Sequence, residues 1–230
     1  MEQLHGGYTL SICDGAFPLS TDSIALAGFT RLPKNARVLD LGSGCGTLGL
    51  LLCASDPGCH VTGVELRQQD HLQALENIRS NRLADRMDSI CADLSHTDRL
   101  FPPGSFSVCV SNPPYFAAGP ASRTVPTARR EDHCTLAELC AAAGWALKYG
   151  GDFYVVYRPE RMAELFACAS LHKLEPKRLC LLRHAPDRPV SLILVQLRKG
   201  AKPGLNWEEL CLFDGHGKPT EQYKKLYHLS

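Results

Sequence analysis

The sequence predicts an α/β fold: an open, mostly parallel sheet covered by helices on both faces. Three observations carry that expectation. Short apolar runs recur along the chain, each bounded by glycine, proline or an acidic residue. Between most of them lie segments of helical spacing or helix-forming composition. The first run, Arg37–Leu41, ends directly in a glycine-rich turn that leads into a helical segment.

Ser20, Thr21 and Asp22 offer N-caps for a helix over STDSIALAGF, 20–29. RVLDL, 37–41, reads as a buried strand, and TLGLLLCA, 47–54, as a helix packed on it and broken by Asp56-Pro57-Gly58. CHVTGVEL, 59–66, is a second strand. Residues 68–82 are expected to be helical, with an apolar face at Leu72, Leu75 and Ile78. SICADL (89–94) and FSVCVS (106–111) are the third and fourth strands. An Ala-rich helix over 133–149 is expected to stop at Gly150-Gly151, before a fifth strand, FYVVY, at 153–157. Pro159 suits the first turn of a helix running to about residue 171. Strands near 178–183 and 190–197, separated by Pro186 and Pro189, form a hairpin and add an antiparallel element. Residues 1–199 are thus expected to form one domain, and 200–230 a peripheral hairpin and tail.

Composition fits a globular domain, with 44% hydrophobic and 21% charged residues in 230. No apolar run reaches the ~18–20 residues that span a bilayer. Residues 1–30 lack the layout of a signal peptide, so a cytoplasmic protein is expected, with no membrane partner. The 11 cysteines are odd in number, and none has Cys-x-x-Cys spacing. Several, such as Cys53 and Cys109, sit in apolar runs, a pattern that suits reduced thiols acting as small hydrophobes, so no metal is expected. Charge is asymmetric: residues 1–115 carry 8 Lys/Arg and 12 Asp/Glu, residues 116–230 carry 17 and 12. A basic C-terminal half is compatible with a polyanionic partner, and equally with a solvated surface.

Asp40-Leu-Gly42-Ser43-Gly44-Cys-Gly46 joins the first strand to a helix, and glycines there let the backbone approach a ligand. GCGTLG, 44–49, also satisfies G-x-G-x-x-G, with Glu65 spaced to meet a ribose hydroxyl. The loop alone does not decide between a nicotinamide dinucleotide and S-adenosylmethionine. Two carboxylates favour the methyl donor. Asp40, at the strand end, suits a cationic or amino-bearing ligand and would repel a pyrophosphate. Asp93, closing the third strand, suits an adenine amino group. The crevice outside the strand C-termini is where such sheets bind ligands.

Asn112-Pro113-Pro114-Tyr115 follows the fourth strand at the same sheet edge. The prolines fix the backbone and remove two donors, Asn112 offers a side-chain carbonyl, and Tyr115 a face for stacking. A planar amino nitrogen is a poor nucleophile because its lone pair is delocalised. Acceptors on its N–H bonds, the Asn112 oxygen and the Pro113 carbonyl, would fix it in line with a methyl donor. Catalysis is then mostly positioning and electrostatics, without a strong base.

With DLGSGCG, VELR, CADL and SNPPY in order, the chain resembles Rossmann-like class I methyltransferases of the amino-methylating NPPY type. Within them it is most similar to bacterial tRNA1(Val) adenine-N6 methyltransferases, on FPLSTDSIALAGF (17–29), RREDHCT (129–135), YRPER (157–161) and LEPKRL (174–179). Ser20 departs from that family's pattern, which has glycine there. The resemblance implies a seven-stranded sheet with an antiparallel last strand, S-adenosylmethionine as donor and S-adenosylhomocysteine as product. It implies that Asp40, Gly42, Ser43, Gly44 and Gly46 hold the donor's amino acid part, Glu65 and Leu66 its ribose, and Asp93 and Leu94 its adenine. Thr21, Asp22 and Asn112 would also lie near the donor. The target it implies is N6 of adenine 37 in the anticodon loop of valine tRNA.

Arg123, Arg129 and Arg130, in the loop after the NPPY turn, together with Arg158 and Arg161, are candidates for holding RNA. His133 is expected to be structural, at a helix start. The sequence leaves open a monomer or a homodimer. Rival readings keep the chemistry and change the acceptor to a protein glutamine or another RNA or DNA base. A nicotinamide oxidoreductase leaves Asp40, Asp93 and the NPPY turn without a role, and a non-catalytic RNA-binding relative leaves intact motifs without a purpose.

Overall fold

The computed structural model describes residues 1–113 and 135–228. A short ladder, β1 (Glu2–Gln3) with β2 (Thr9–Leu10), precedes α1 (Thr21–Phe29). Then follow β3 (Arg37–Leu41), α2 (Thr47–Ser55), β4 (His60–Glu65), α3 (Gln68–Ser80), β5 (Met87–Cys91), α4 (Thr97–Leu100) and β6 (Phe106–Ser111). After the undescribed stretch come α5 (Leu136–Ala146), β7 (Leu147–Tyr157), α6 (Met162–Leu171), β8 (Leu174–Arg183), β9 (Val190–Lys199), β10 (Asn206–Cys211) and α7 (Glu221–Leu226).

The main sheet runs β10-β8-β9-β7-β6-β3-β4-β5. Every neighbouring pair is parallel except those of β9, which is antiparallel to both β7 and β8. The expected α/β architecture is therefore observed, with β9 as the antiparallel strand. Side chains alternate between two cores, as the pleat requires. Val38, Val108, Val110, Tyr154 and Leu194 face the layer of α1 and α2, while Leu39, Cys109, Phe153 and Ile193 face α5 and α6.

Four local expectations are corrected. The sheet has eight strands rather than seven, because residues 206–211 pair in parallel with β8, ahead of a turn at Asp214 closed by an antiparallel bridge of Phe213 with Pro219. That strand, NWEELC, is polar and is tied by ion pairs of Glu208 with Arg178 and Glu209 with Arg183, so apolar periodicity does not reveal it. The buried side of α3 is Asp70, Ala74, Asn77 and Ile78, while Leu72 is 55% and Leu75 37% exposed. Helix α5 ends at Ala146, not at the glycine pair. Leu147 already pairs with Phe106, and Gly150, at φ 76°, sits where the ladder register shifts inside β7. The third strand lies slightly earlier than expected, at 87–91, and leaves Asp93 two residues beyond it.

Buried Cys53, Cys59, Cys109, Cys140 and Cys180 behave as the small hydrophobes expected. Cys13 and Cys45 do not, as Cys13 donates to the Asp70 carboxylate and stands 3.7 Å from the Cys45 sulfur. Among the described residues, no helix is long and apolar enough to cross a membrane.

Candidate active site

The chain reverses at the C-terminal end of β3 through a loop held to its neighbour strand. The amides of Gly42 and Ser43 both donate to the Val64 carbonyl, at 2.9 and 3.1 Å, and the Gly46 amide donates to the Ser43 carbonyl at 2.9 Å. Gly44 and Gly46 take φ of 55° and 85°, in the left-handed region that favours glycine. Among the described residues, apart from its chain neighbours, no atom lies within 4 Å of where a Cβ on Gly44 would stand, so they leave the loop open on that side. At Gly46 a Cβ would come within 2.9 Å of the Met87 methyl, which would have to swing aside, so it is the left-handed backbone that favours glycine there.

Beneath this loop lies a cleft of about 260 Å³. Asp22 and Ser23 of α1, Asp40 at the end of β3, Gly42 to Cys45 of the loop, and Asn112 and Pro113 beyond β6 form its walls. Thr47 and Leu48 of α2, Asp70 of α3, and Phe17, Pro18 and Ser20 ahead of α1 complete it. Two distant motifs, the glycine loop and the Asn-Pro turn, thus share one cavity. The Ser111 hydroxyl donates to the Leu41 carbonyl at 2.7 Å and fastens the ends of β6 and β3 together.

Asp40 is 1% exposed, and among the described residues neither of its oxygens has a hydrogen-bond partner. Burial, and after it the nearby Glu65 carboxylate, push its pKa up to about 8, against a weaker opposing pull from the Gly49 backbone, which lies outside hydrogen-bond geometry. The Ser43 hydroxyl is likewise buried and, among the described residues, without a hydrogen-bond partner. Buried polar groups are normally satisfied, so these two orphaned side chains fit a ligand that brings donors and positive charge. The amino acid end of S-adenosylmethionine has that chemistry, whereas a pyrophosphate does not.

Glu65 accepts from the Gly44 amide and the Arg67 amide, both at 2.8 Å. Its pKa is raised, burial outweighing those two amides. Asp93 accepts from the Ser95 amide at 2.8 Å and caps a short turn at Leu94–His96. Partial burial opposes ionisation there, but the Ser95 hydrogen bonds win and hold the carboxyl below its ordinary value. Glu65, Leu66, Asp93 and Leu94 stand farther along the same sheet edge and are not part of the cleft wall.

Thr21 is not one of the residues on the cleft wall. Its hydroxyl lies 3.0 Å from the Tyr227 hydroxyl, against the chain end just past α7. Asn112 lines the cleft, and its Nδ2 donates to the Ser23 hydroxyl at 3.0 Å. Pro114, Tyr115, Arg123, Arg129, Arg130 and His133 lie outside the described residues. Arg158 is exposed at the end of β7, 3.9 Å from Glu160. Arg161 is held by Glu164 through two 2.8 Å hydrogen bonds, with its guanidinium 5.2 Å from the centre of the Tyr157 ring. The two arginines follow the strand next to β6, at the edge that carries Asn112.

The sequence reading passed over Ser23, Asp70 and Cys45. Ser23 is the polar member of an apolar helix face. Asp70 and Asn77 share a stripe with Ala74 and Ile78 at 70, 74, 77 and 78, a helical spacing that marks buried polar positions. Cys45, inside the glycine loop, carries no local signal.

The family model of the methyltransferase small domain matches residues 23–173. A protein of Bacteroides fragilis named tRNA1(Val) (adenine(37)-N6)-methyltransferase is 30% identical over 92% of this chain and 89% of its own length. A protein of the same name from Photobacterium profundum is 26% identical over 90% of this chain and 88% of its own. Among solved structures, a predicted O-methyltransferase of Agrobacterium tumefaciens has a TM-score of 0.76 at 21% identity, covering 90% of this chain and 96% of its own. Geranyl diphosphate C-methyltransferase of Streptomyces coelicolor has a TM-score of 0.59 at 15% identity, covering 77% and 76%. Both structural likenesses bear on the fold.

Proposed function

Since the chain belongs to the methyltransferase small domain family, we propose that it methylates the exocyclic N6 amine of adenine in tRNA, using S-adenosylmethionine. The target in this reading is position 37, in the anticodon loop of a valine tRNA, as in the names of its relatives. The observation that carries it is the meeting of Asn112-Pro113 with the unpartnered Asp40 carboxylate on the walls of one cleft.

When bound, S-adenosylmethionine supplies an electrophilic methyl group. Asp40 and Ser43 hold its amino acid part, and Gly42, Gly44 and Gly46 let the backbone close around it. Glu65 and Leu66 serve its ribose, Asp93 and Leu94 its adenine, and Asp22 the near wall. The Asn112 amide, whose Nδ2 is engaged by Ser23, accepts from the target amine through its side-chain oxygen. The Pro113 carbonyl takes the second N–H, while Pro114 and Tyr115 serve the target base. Arg123, Arg129, Arg130, Arg158 and Arg161 serve the tRNA backbone, and the protein works in the cytoplasm.

Labelled donor, bulk tRNA and the purified chain, followed by nucleoside analysis, test this reading. Label in N6-methyladenosine is expected. Label in another nucleoside, with none in N6-methyladenosine, overturns the substrate.

A further inference from the structure

Cys13, Cys45 and Asp70 are 32 and 25 residues apart, yet their Sγ and carboxylate atoms all lie within 4.8 Å of one another. We propose that these three side chains bind a thiophilic divalent cation of the zinc class at one corner of the cleft.

The spacing fits such an ion. Cys13 Sγ and Cys45 Sγ stand 3.7 Å apart. Two thiolates held about 2.3 Å from a tetrahedral zinc are separated by about 3.8 Å. The third ligand is Asp70 Oδ1, to which Cys13 Sγ donates at 3.0 Å. Asp70 Oδ2 lies 3.2 Å from Arg67 Nη1, so the guanidinium fixes the carboxylate while Oδ1 faces the sulfurs. Charge also balances: two thiolates and a carboxylate match a divalent ion and the Arg67 guanidinium. As each sulfur–metal bond forms, the thiol proton leaves to solvent.

The site is built from three separate elements and fastened by one residue. Asn77, 1% exposed on α3, donates from Nδ2 to the Ser11 carbonyl at 2.8 Å and to the Cys45 carbonyl at 2.9 Å. Its Oδ1 accepts from the Ser11 amide at 3.0 Å. The segment carrying Cys13 is thereby held against the loop carrying Cys45. Both Cys45 and Asp70 line the cleft, so the fourth position of a tetrahedral ion opens toward it. A cation there opposes a cationic donor, and this linkage alone rests on the methyl-donor reading of the cleft.

The test is titration of the reduced full-length chain with Zn²⁺ in competition with a chromogenic chelator, and with Co²⁺ followed by absorption. One tight Zn²⁺ per chain and a thiolate-to-cobalt charge-transfer band are expected. Both should persist in the Cys91→Ser plus Cys168→Ser variant, whose thiols lie elsewhere. Cys13→Ser, at a half-buried position, should weaken Zn²⁺ by about 100-fold and remove the band, and Asp70→Asn should weaken it by at least about tenfold. Affinity unchanged in Cys13→Ser, or a cobalt spectrum without the charge-transfer band, overturns the site. Tight Zn²⁺ binding that leaves donor affinity unchanged overturns only the linkage. Loss of tRNA methylation as the activity would leave the metal titration untouched.

Discussion

Asn112 Nδ2 donates to the Ser23 hydroxyl across 3.0 Å, joining the turn after β6 to the first turn of α1. That bond restricts rotation of the carboxamide, so Ser23 acts as a positioning residue for Asn112. Removing one such hydrogen bond costs about 1–1.5 kcal/mol. Ser23→Ala should therefore lower kcat by roughly tenfold while leaving donor affinity close to that of the unaltered protein. Ser23→Thr restores the hydroxyl and should restore turnover. Steady-state kinetics with tRNA and calorimetric donor titration measure the two effects separately, and a loss confined to donor affinity would contradict the role.

Asn112→Ala removes the acceptor itself. Losing one preorganised group that acts on the reacting nitrogen costs about 10²–10³ in turnover. Donor affinity should change little, because Asp40, Ser43 and the glycine loop remain. Single-turnover methyl transfer at saturating donor separates the two effects. If the variant lost donor binding and kept its rate at saturation, Asn112 would belong to the donor pocket instead.

Much of this site was legible in the chain because its groups sit at strand ends, where local pattern and ligand position coincide. RVLDL followed by glycines and FSVCVS followed by Asn-Pro each announce a buried strand and the turn beyond it. Position across the fold was not legible. Thr21 and Ser23 lie in the same helical turn, yet one meets Tyr227, 206 residues away, and the other Asn112. The cysteine pair met the same difficulty, since local sequence presents Cys45 as one more loop residue. Strand β10 escaped for another reason: its backbone ladder with β8 secures it, and its side chains are mostly polar, so no apolar alternation marks it.

Thr21→Val tests the side on which that residue works. The Thr21 hydroxyl is 3.0 Å from that of Tyr227, so the substitution removes a link between α1 and the chain end beyond α7. A loss of about 1 kcal/mol is expected, which for a domain of this size lowers Tm by roughly 2–4 °C. Donor affinity should stay within about twofold of the unaltered protein, a change of under about 0.5 kcal/mol. Scanning calorimetry and donor titration provide the two readings, and a large loss of donor affinity at unchanged Tm would return Thr21 to the cofactor.

Asp40 gives the protein a pH dependence of its own. Its pKa is raised from 3.8 to about 8, with burial the main cause. Between those values the folded protein holds a proton that the unfolded chain releases. Stability from this group is thus greatest at low pH and declines as pH rises from about 4 toward 8. Asp40→Asn removes the ionisation, so without donor the variant should gain stability over the unaltered protein above pH 8, by up to a few kcal/mol. Near pH 5 most of that advantage should be gone. Donor affinity should move the opposite way, because a cationic amino group is held by the ionised carboxylate. In the unaltered protein, donor binding should strengthen as pH rises toward 8, and in Asp40→Asn it should be weaker and lack that rise. Donor titrations from pH 6 to 8.5, beside thermal unfolding over the same range, measure both slopes. Parallel pH profiles for the two proteins would show that the buried carboxylate is not the group that meets the donor.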